Sequence, residues 1–346
     1  MCLKSTVQYY TSRDTPVSAC FLDLSKAFDL VSYDILWQKL TNETSVPEDL
    51  IEILKFWYGN QINSVRWAGV HSGEYRLECG VRQGGLSSPR LFNLYVNQLM
   101  DELNNAYVGC SVDGKSINNI SYADDMVLLS PSMSALQELL DICDRYSVRH
   151  GLRYNGKKSE VLVFKAGRKF YKTVPPVTLG GEPLRVTKTF KYLGHWVTEG
   201  LKDDLDIERE RRALAVRGNM LARRFARCNK DVKKTLFKAF CQSFYTCSLW
   251  ASYTQRAYNA LRIQYNNVFR MLMGLPRHCS ASRMFAEAHT DDFFAIIRNR
   301  SASLMQRLCG STNSILKTLA GKIDAPLLMH WNGLHVAATD AEKWCI

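Results

Sequence analysis

Three aspartates in this sequence have the chemistry and the setting of a metal site. Asp124 and Asp125 stand between two short apolar runs, 117–122 and 126–129, a pattern that reads as a hairpin with both carboxylates at its tip. Asp23 lies at the end of the apolar run VSACFLDL at 17–24, 101 residues earlier (124 − 23). If the two strands lie side by side, three carboxylates converge at one sheet edge. Acids that close repel unless a cation neutralises them. Hard divalent ions with oxygen ligands suit them, Mg²⁺ first. A two-metal site of this kind activates an attacking oxygen and stabilises a leaving one during in-line phosphoryl displacement. The same residues have a plainer reading. Asp favours turns for its own hydrogen bonding, and an Asp ending a strand often caps the next helix.

The spacing of apolar residues predicts the elements that must position these groups. Residues 17–24 read as a buried strand, followed by helices at 33–40 and 47–58, with Pro47 where a first helical turn tolerates it. Short strands are expected at 64–68 and 74–79. Gly80, Gly84 and Gly85 break that pattern before an amphipathic helix that runs from about Ser88-Pro89 to Asn105, with Leu91, Leu94, Tyr95, Leu99 and Leu103 at helical spacing. A helix at 133–150 carries Leu136, Leu139, Leu140 and Cys143 on one face. A strand at 161–164, a basic loop at 165–176 and short strands at 177–179, 184–186 and 190–195 complete a mixed region. From Asp203 onward the texture is helical, with helices expected at 203–228, 230–250, 258–273 and 291–309. The fold class expected is α+β, with its boundary near residue 200.

Charge separates the same two regions. The chain of 346 residues carries a net +12; residues 1–200 hold 22 Lys/Arg against 21 Asp/Glu, and residues 201–346 hold 23 against 12. So one-sided a surplus favours a polyanion as partner, nucleic acid before membrane. Arg223, Arg227, Lys230, Lys234 and Lys238 recur at three- and four-residue steps and would form one stripe on a continuous helix. Asn229 is placed to cap a new helix, which would bend the stripe. Leu214, Leu221 and Phe225, then Val232, Leu236, Phe240 and Phe244, supply an apolar face to each helix. The 11 Cys form no C-x-x-C pair, so zinc spacing is absent, and scattered thiols suit a reducing intracellular compartment, nucleus or cytoplasm. The N-terminus has no signal-peptide run and no stretch approaches 18 apolar residues, so neither secretion nor a membrane is expected.

Five strings place the aspartates in a larger context: FLDLSKAFD at 21–29, GVRQGGLSSPRLFN at 80–93, YADD at 122–125, NGKKS at 155–159 and FKYLG at 190–194. Their content and order resemble the successive palm motifs of reverse transcriptases, with wording closest to non-LTR (LINE-type) retrotransposon polymerases. The resemblance is strong over residues 3–200 and weak beyond. It implies a fingers-helix remnant at 1–16, a polymerase palm (antiparallel sheet with packed helices) at 17–175, a primer-grip-like hairpin at 176–200, and a basic all-α thumb and C-terminal extension at 201–346. The activity implied is RNA-directed DNA polymerisation, in which a dNTP is added to a DNA primer on an RNA template with two Mg²⁺ ions, Mn²⁺ being a substitute.

The resemblance also implies roles. Asp23 and Asp124 would bind both metals, with Asp125 assisting and the Leu24 carbonyl as a further ligand. Phe28 would be the steric gate beneath the sugar, where an aromatic ring clashes with a 2′-hydroxyl; a core aromatic is the competing reading. Gln83 and Gly84 would contact the template base and the incoming nucleotide. Arg82 stands where many relatives have Pro, and Ser87 where many have Leu. Lys158 would protonate the pyrophosphate leaving group, or be a solvated surface lysine. Tyr192, Leu193 and Gly194 would grip the primer 3′ end, and the basic stripe would follow the nucleic-acid backbone. Asp29 is expected as a helix N-cap or a local hydrogen-bonding residue. Of the fingers region that precedes motif A in such enzymes, only a last helix, about 3–11, falls within the chain. An N-terminally truncated retroelement copy is therefore expected, with weak or no processive synthesis. The alternative is a non-catalytic nucleic-acid-binding remnant.

Overall fold

The run Val17–Asp23, buried at every position but its last, is the middle strand of a five-stranded sheet. The strands lie in the order Arg185–Thr187, Glu160–Phe164, Val17–Asp23, Asp125–Ser130, Asn119–Tyr122. Val17–Asp23 pairs antiparallel with Asp125–Ser130, from Ser18↔Ser130 to Asp23↔Asp125. Asn119–Tyr122 and Asp125–Ser130 form the expected hairpin. Arg185–Thr187 is parallel to Glu160–Phe164 at the far edge. This is a computed structural model that describes residues 1–167, 173–320 and 328–333. Its helices are α1 (Cys2–Thr11), α2 (Tyr33–Glu43), α3 (Glu48–Gly59), α4 (Ser88–Asn104), α5 (Met133–Arg149), α6 (Asp204–Arg224), α7 (Lys230–Cys241), α8 (Gln255–Met273), α9 (Ala281–Glu287), α10 (Phe293–Cys309) and α11 (Ser314–Ala320). The α+β reading holds. Of the basic loop expected at 165–176, residues 168–172 lie outside the described residues.

Contacts divide the chain into two units. Among the described residues, 15–163 and 173–187 form one, and 1–14, 164–167, 188–320 and 328–333 the other.

In the sheet-bearing unit, α4 and α5 bury their apolar stripes in one core with the sheet; Leu91, Tyr95, Leu99, Leu136, Leu140, Leu22 and Leu128 belong to it. Ser132 starts α5 by accepting the Ala135 amide at 3.2 Å, the usual satisfaction of a free helix N–H. Two buried tyrosines tie the helices together. Tyr95 donates its hydroxyl to the His150 carbonyl at 2.6 Å, and Tyr146 donates to the Tyr95 carbonyl at 2.6 Å. Pro47 is the residue before α3 rather than inside its first turn. The strands expected at 64–68 and 74–79 are instead two nested two-residue pairs, Ile62–Asn63 with Tyr75–Arg76 and Arg66–Trp67 with Val70–His71. Their side chains are mostly exposed, so no buried face extends the pairing.

In the helical unit, α6 lies close against α8 where Gly218 faces Val268. Leu214, Leu221, Phe237, Phe244, Trp250, Tyr265, Phe269 and Phe293 share its core. α1, expected as a fingers remnant, belongs to this unit by contact. Its buried Lys4 pairs with Asp203 and donates to the Leu249 carbonyl at 2.7 Å. Asn229 caps α7 by accepting the Val232 amide at 2.9 Å, so the chain does bend between α6 and α7. Two expectations need correction. The helix expected at 230–250 ends at Cys241 and is followed by a 3-10 turn at Cys247–Leu249. Beyond it, Thr246 and Trp250 bond to the buried Asp206 carboxylate, at 2.6 and 2.8 Å. The buried face of α7 is Phe237 and Cys241, while Val232 and Phe240 are exposed.

Candidate active site

Strand register brings Asp23 and Asp125 directly opposite one another. Cross-strand partners share a face, with Cβ atoms about 4.5–5.5 Å apart. Asp124 belongs to the two-residue turn Ala123-Asp124 between Tyr122 and Asp125. Ala123 has φ 54. A positive φ at the first turn residue suits the twist of a hairpin, at a cost of about 1–2 kcal/mol for an L-residue. The strand behind the tip is buried from Met126 to Ser130 and bears that strain. Asn118, fully buried, steadies the other strand by donating its amide to the Leu103 and Val108 carbonyls at 2.6 and 2.9 Å. Partial burial, and then the Asp124 and Asp23 carboxylates, push the Asp125 carboxyl above its ordinary range.

The NGKKS segment closes on the end of the central strand. Ser25 N–H donates to the Arg153 carbonyl at 2.8 Å, and Asn155 N–H donates to the Asp23 carbonyl at 2.8 Å. Asp23 N–H donates to the buried Ser159 hydroxyl at 3.1 Å. Leu24 is buried and bridges to Tyr154. These bonds hold the loop so that Lys158, largely exposed, puts its Nζ 3.9 Å from Asp23 Oδ2.

A pocket of about 540 Å³ opens beside the acids, lined by Phe28, Gln83, Gly84, Gly85, Leu86, Ser88, Pro89 and Asp124. Its two walls are joined by backbone. Val81 N–H donates to the Phe28 carbonyl at 2.7 Å, and Gly80 N–H donates to the Val31 carbonyl at 2.8 Å. The Phe28 ring stacks on Phe92 with centroids 4.8 Å apart, so it is fixed from below while one face lines the pocket. Asp29 is not a helix cap, because α2 begins after Ser32. It sits in a turn closed by its own N–H on the Lys26 carbonyl, at 2.9 Å, and its carbonyl accepts from the Cys79 thiol.

Asp23, Leu24, Phe28, Gln83, Gly84, Asp124, Asp125 and Lys158 thus all lie in the sheet-bearing unit. The remaining candidates lie in the helical unit. Tyr192, Leu193 and Gly194 end the first strand and form the turn of the hairpin Thr189–Tyr192/His195–Thr198, with φ 46 and 79 at the two turn residues. Arg223 lies in the last turn of α6, Arg227 in the connection, Lys230 starts α7 and Lys234 lies one turn further along it. Arg223, Arg227 and Lys230 are exposed, whereas the Lys238 ammonium donates to the His289 carbonyl at 3.0 Å. Sequence reasoning missed Asn118, Ser159 and Asp206. All three are buried polar residues whose partners lie elsewhere in the fold, and each stands among other polar residues in sequence, where nothing local singles it out.

The oxygen donor set fits hard divalent cations. Among the described residues no three His, Cys, Asp or Glu side chains close around a single ion. The three acids are adjacent by register and turn.

Residues 3–197 match the family described as reverse transcriptase (RNA-dependent DNA polymerase). The chain belongs to the reverse transcriptase family. All five motif strings fall inside the match. The RNA-directed DNA polymerase from mobile element jockey of Drosophila funebris is 25% identical over 313 residues, which is 87% of this chain and 33% of that protein. The Pol polyprotein of the type-2 retrotransposable element R2DM of Drosophila melanogaster is 31% identical over 179 residues, 50% of this chain and 17% of its own. This reverse transcriptase chain therefore spans at most about a third of these relatives, and the non-LTR kinship read from its motifs holds. A solved telomerase from Candida tropicalis superposes with a TM-score of 0.45 at 12% identity, covering 96% of this chain and 50% of that one. Among the described residues no helix is long and apolar enough to cross a membrane.

Proposed function

We propose that this chain works as the palm and thumb of an RNA-directed DNA polymerase, extending a DNA primer on an RNA template. The observation that carries the reading is the pairing of Asp23 with Asp125 beside a pocket that Asp124 shares with Phe28 and Gln83. Asp23 and Asp124 would hold two divalent cations, Mg²⁺ or in its place Mn²⁺, with Asp125 and the Leu24 carbonyl supporting them. Such ions, when bound, lower the barrier to attack of a primer 3′-oxygen on a triphosphate. The pocket takes the dNTP: Phe28 lies under the sugar, and Gln83 and Gly84 border the base and the template. Lys158, whose Nζ lies 3.9 Å from Asp23 Oδ2, would donate a proton to the departing pyrophosphate. Tyr192, Leu193 and Gly194 grip the primer end. Arg223, Arg227, Lys230 and Lys234 contact backbone phosphates; Lys238, already bonded to a carbonyl, contributes less.

Primer extension on an RNA template with Mg²⁺ tests the proposal. Asp124→Ala is expected to lower the rate by about a hundredfold or more, with duplex binding retained. Extension that survives Asp124→Ala would refute the assignment. A wild-type chain that binds duplex but never extends it would be the binding-only remnant instead.

A further inference from the structure

We propose that Tyr245 is a second primer-strand contact beside the Leu193-Gly194 turn, and that the buried Asp206 positions it through Thr246. This rests on reading the Thr189–Thr198 hairpin as a primer grip. Tyr245 is 77% exposed although its neighbours Phe244, Thr246 and Cys247 are buried. A side chain so flanked is held at the surface by the backbone, not left there by disorder. Its ring borders the turn: a Cβ placed on Gly194 would lie 3.5 Å from Tyr245 Cε1.

One carboxylate fixes both pieces. Asp206 is fully buried, and its Oδ2 lies 3.1 Å from His195 Nδ1 while its Oδ1 accepts the Trp196 amide at 3.2 Å, both on the hairpin. The same group accepts from the Thr246 hydroxyl at 2.6 Å and the Trp250 indole at 2.8 Å, both just after Tyr245 in sequence. Arg209 Nε, at 2.8 Å, completes the set. Helix α7 ends at Cys241, and Tyr245 lies exposed in the segment before the Cys247–Leu249 turn, beside Gly194. An exposed aromatic ring beside a glycine turn offers a flat face to a base or sugar and a hydroxyl to a phosphate. The surplus of Lys and Arg over residues 201–346 makes a nucleic-acid strand the occupant that fits.

The test uses the full chain and an RNA template annealed to a labelled DNA primer with a recessed 3′ end. Fluorescence anisotropy gives duplex affinity, and extension gives KM for primer and for dNTP separately. Tyr245→Ala is expected to weaken duplex binding and raise the primer KM by roughly tenfold, with the dNTP KM unchanged, while Tyr245→Phe keeps the stacking face and stays within twofold of wild type. Thr246→Val removes the bond to Asp206 and the one Thr246 accepts from Arg209 Nη2 at 3.1 Å. It is expected to raise the primer KM by a few-fold with kcat unchanged, and to add nothing further on top of Tyr245→Ala, since coupled residues are not additive. Tyr245→Ala binding duplex as wild type does would overturn the contact, and an additive Thr246→Val effect would overturn the positioning role. Anisotropy needs no catalysis, so an inactive wild-type chain that still loses affinity on Tyr245→Ala would fail the polymerase reading alone.

Discussion

Replacing Gly109 by Ala should damage the hairpin that carries Asp124 and Asp125, and its cost can be worked out from the structure. Gly109 has φ 92, and a Cβ there would lie 2.5 Å from Asn118 Cβ, 2.8 Å from the Leu129 carbonyl oxygen and 3.1 Å from Leu139 Cδ1. The Leu129 carbonyl cannot simply retreat, because it accepts the Cys110 amide at 2.9 Å while the Leu129 amide donates to the Asn118 carbonyl at 2.7 Å. The left-handed backbone costs an L-residue about 1–2 kcal/mol. Overpacking against fixed atoms adds about 1–3 kcal/mol. Gly109 is outside any helix, so no gain in helix propensity offsets the sum of about 2–5 kcal/mol. Gly114 supplies the control. It has φ 75 with nothing within 4 Å of an added Cβ, so Gly114→Ala should cost only the backbone part, about 1–2 kcal/mol. Urea unfolding of wild type and both variants, followed by circular dichroism and extrapolated linearly, isolates packing as the difference between the two alanines. Primer extension should fall in Gly109→Ala and not in Gly114→Ala. Two variants of equal stability would refute the claim that Asn118 and Leu129 are rigid around Gly109.

Two further outcomes follow from the buried acids and the pocket. Burial alone would raise the Asp206 carboxyl, but hydrogen bonds from His195, Arg209 and Thr246 outweigh it and hold the group well below the usual carboxylate range; His195 and Lys4 do the same for Asp203. A depressed folded value means the stability is present above the unfolded value of about 4 and is lost as pH falls through the folded one. Thermal melts of the helical unit should therefore drop steeply below about pH 4, and an Asp206→Asn variant with the same acid slope as wild type would contradict this. Phe28→Ala should admit ribonucleotides, raising rNTP over dNTP incorporation by about 10–200-fold in kcat/KM, the range for one lost steric contact. Unchanged sugar discrimination would reduce Phe28 to a core partner of Phe92.

The neighbourhood of the candidate site was legible because it is written in local patterns. An apolar run ending in Asp23, a hairpin around Asp124-Asp125 and a glycine break before an amphipathic helix each specify their own geometry, and the Asn229 cap announced the bend after α6. What was not legible depends on distant partners. The run from Val232 to Trp250 continues a helical apolar pattern with no Pro or Gly to stop it. It stops at Cys241, and the residues beyond it bond through Thr246 and Trp250 to the distant Asp206, contacts that no local rule contains. For the same reason NGKKS pointed to Lys158 but not to Ser159, whose buried hydroxyl receives the Asp23 amide. Exposed apolar residues misled at Phe240, where apolar character alone suggested burial.

The register Asp23↔Asp125 also sets which length changes the chain can tolerate. Strand side chains alternate between faces, so inserting or deleting one residue within Val17–Asp23 would exchange Asp23 with Leu22 or Leu24, putting a carboxylate into the core and a leucine at the acids. The nested pairs between Ile62 and Arg76 carry no such constraint: their side chains are mostly exposed and none of them lines the pocket shared by Phe28 and Asp124. Among natural variants of this chain, insertions and deletions should therefore collect between residues 60 and 76 and be absent from 17–23 and 119–130.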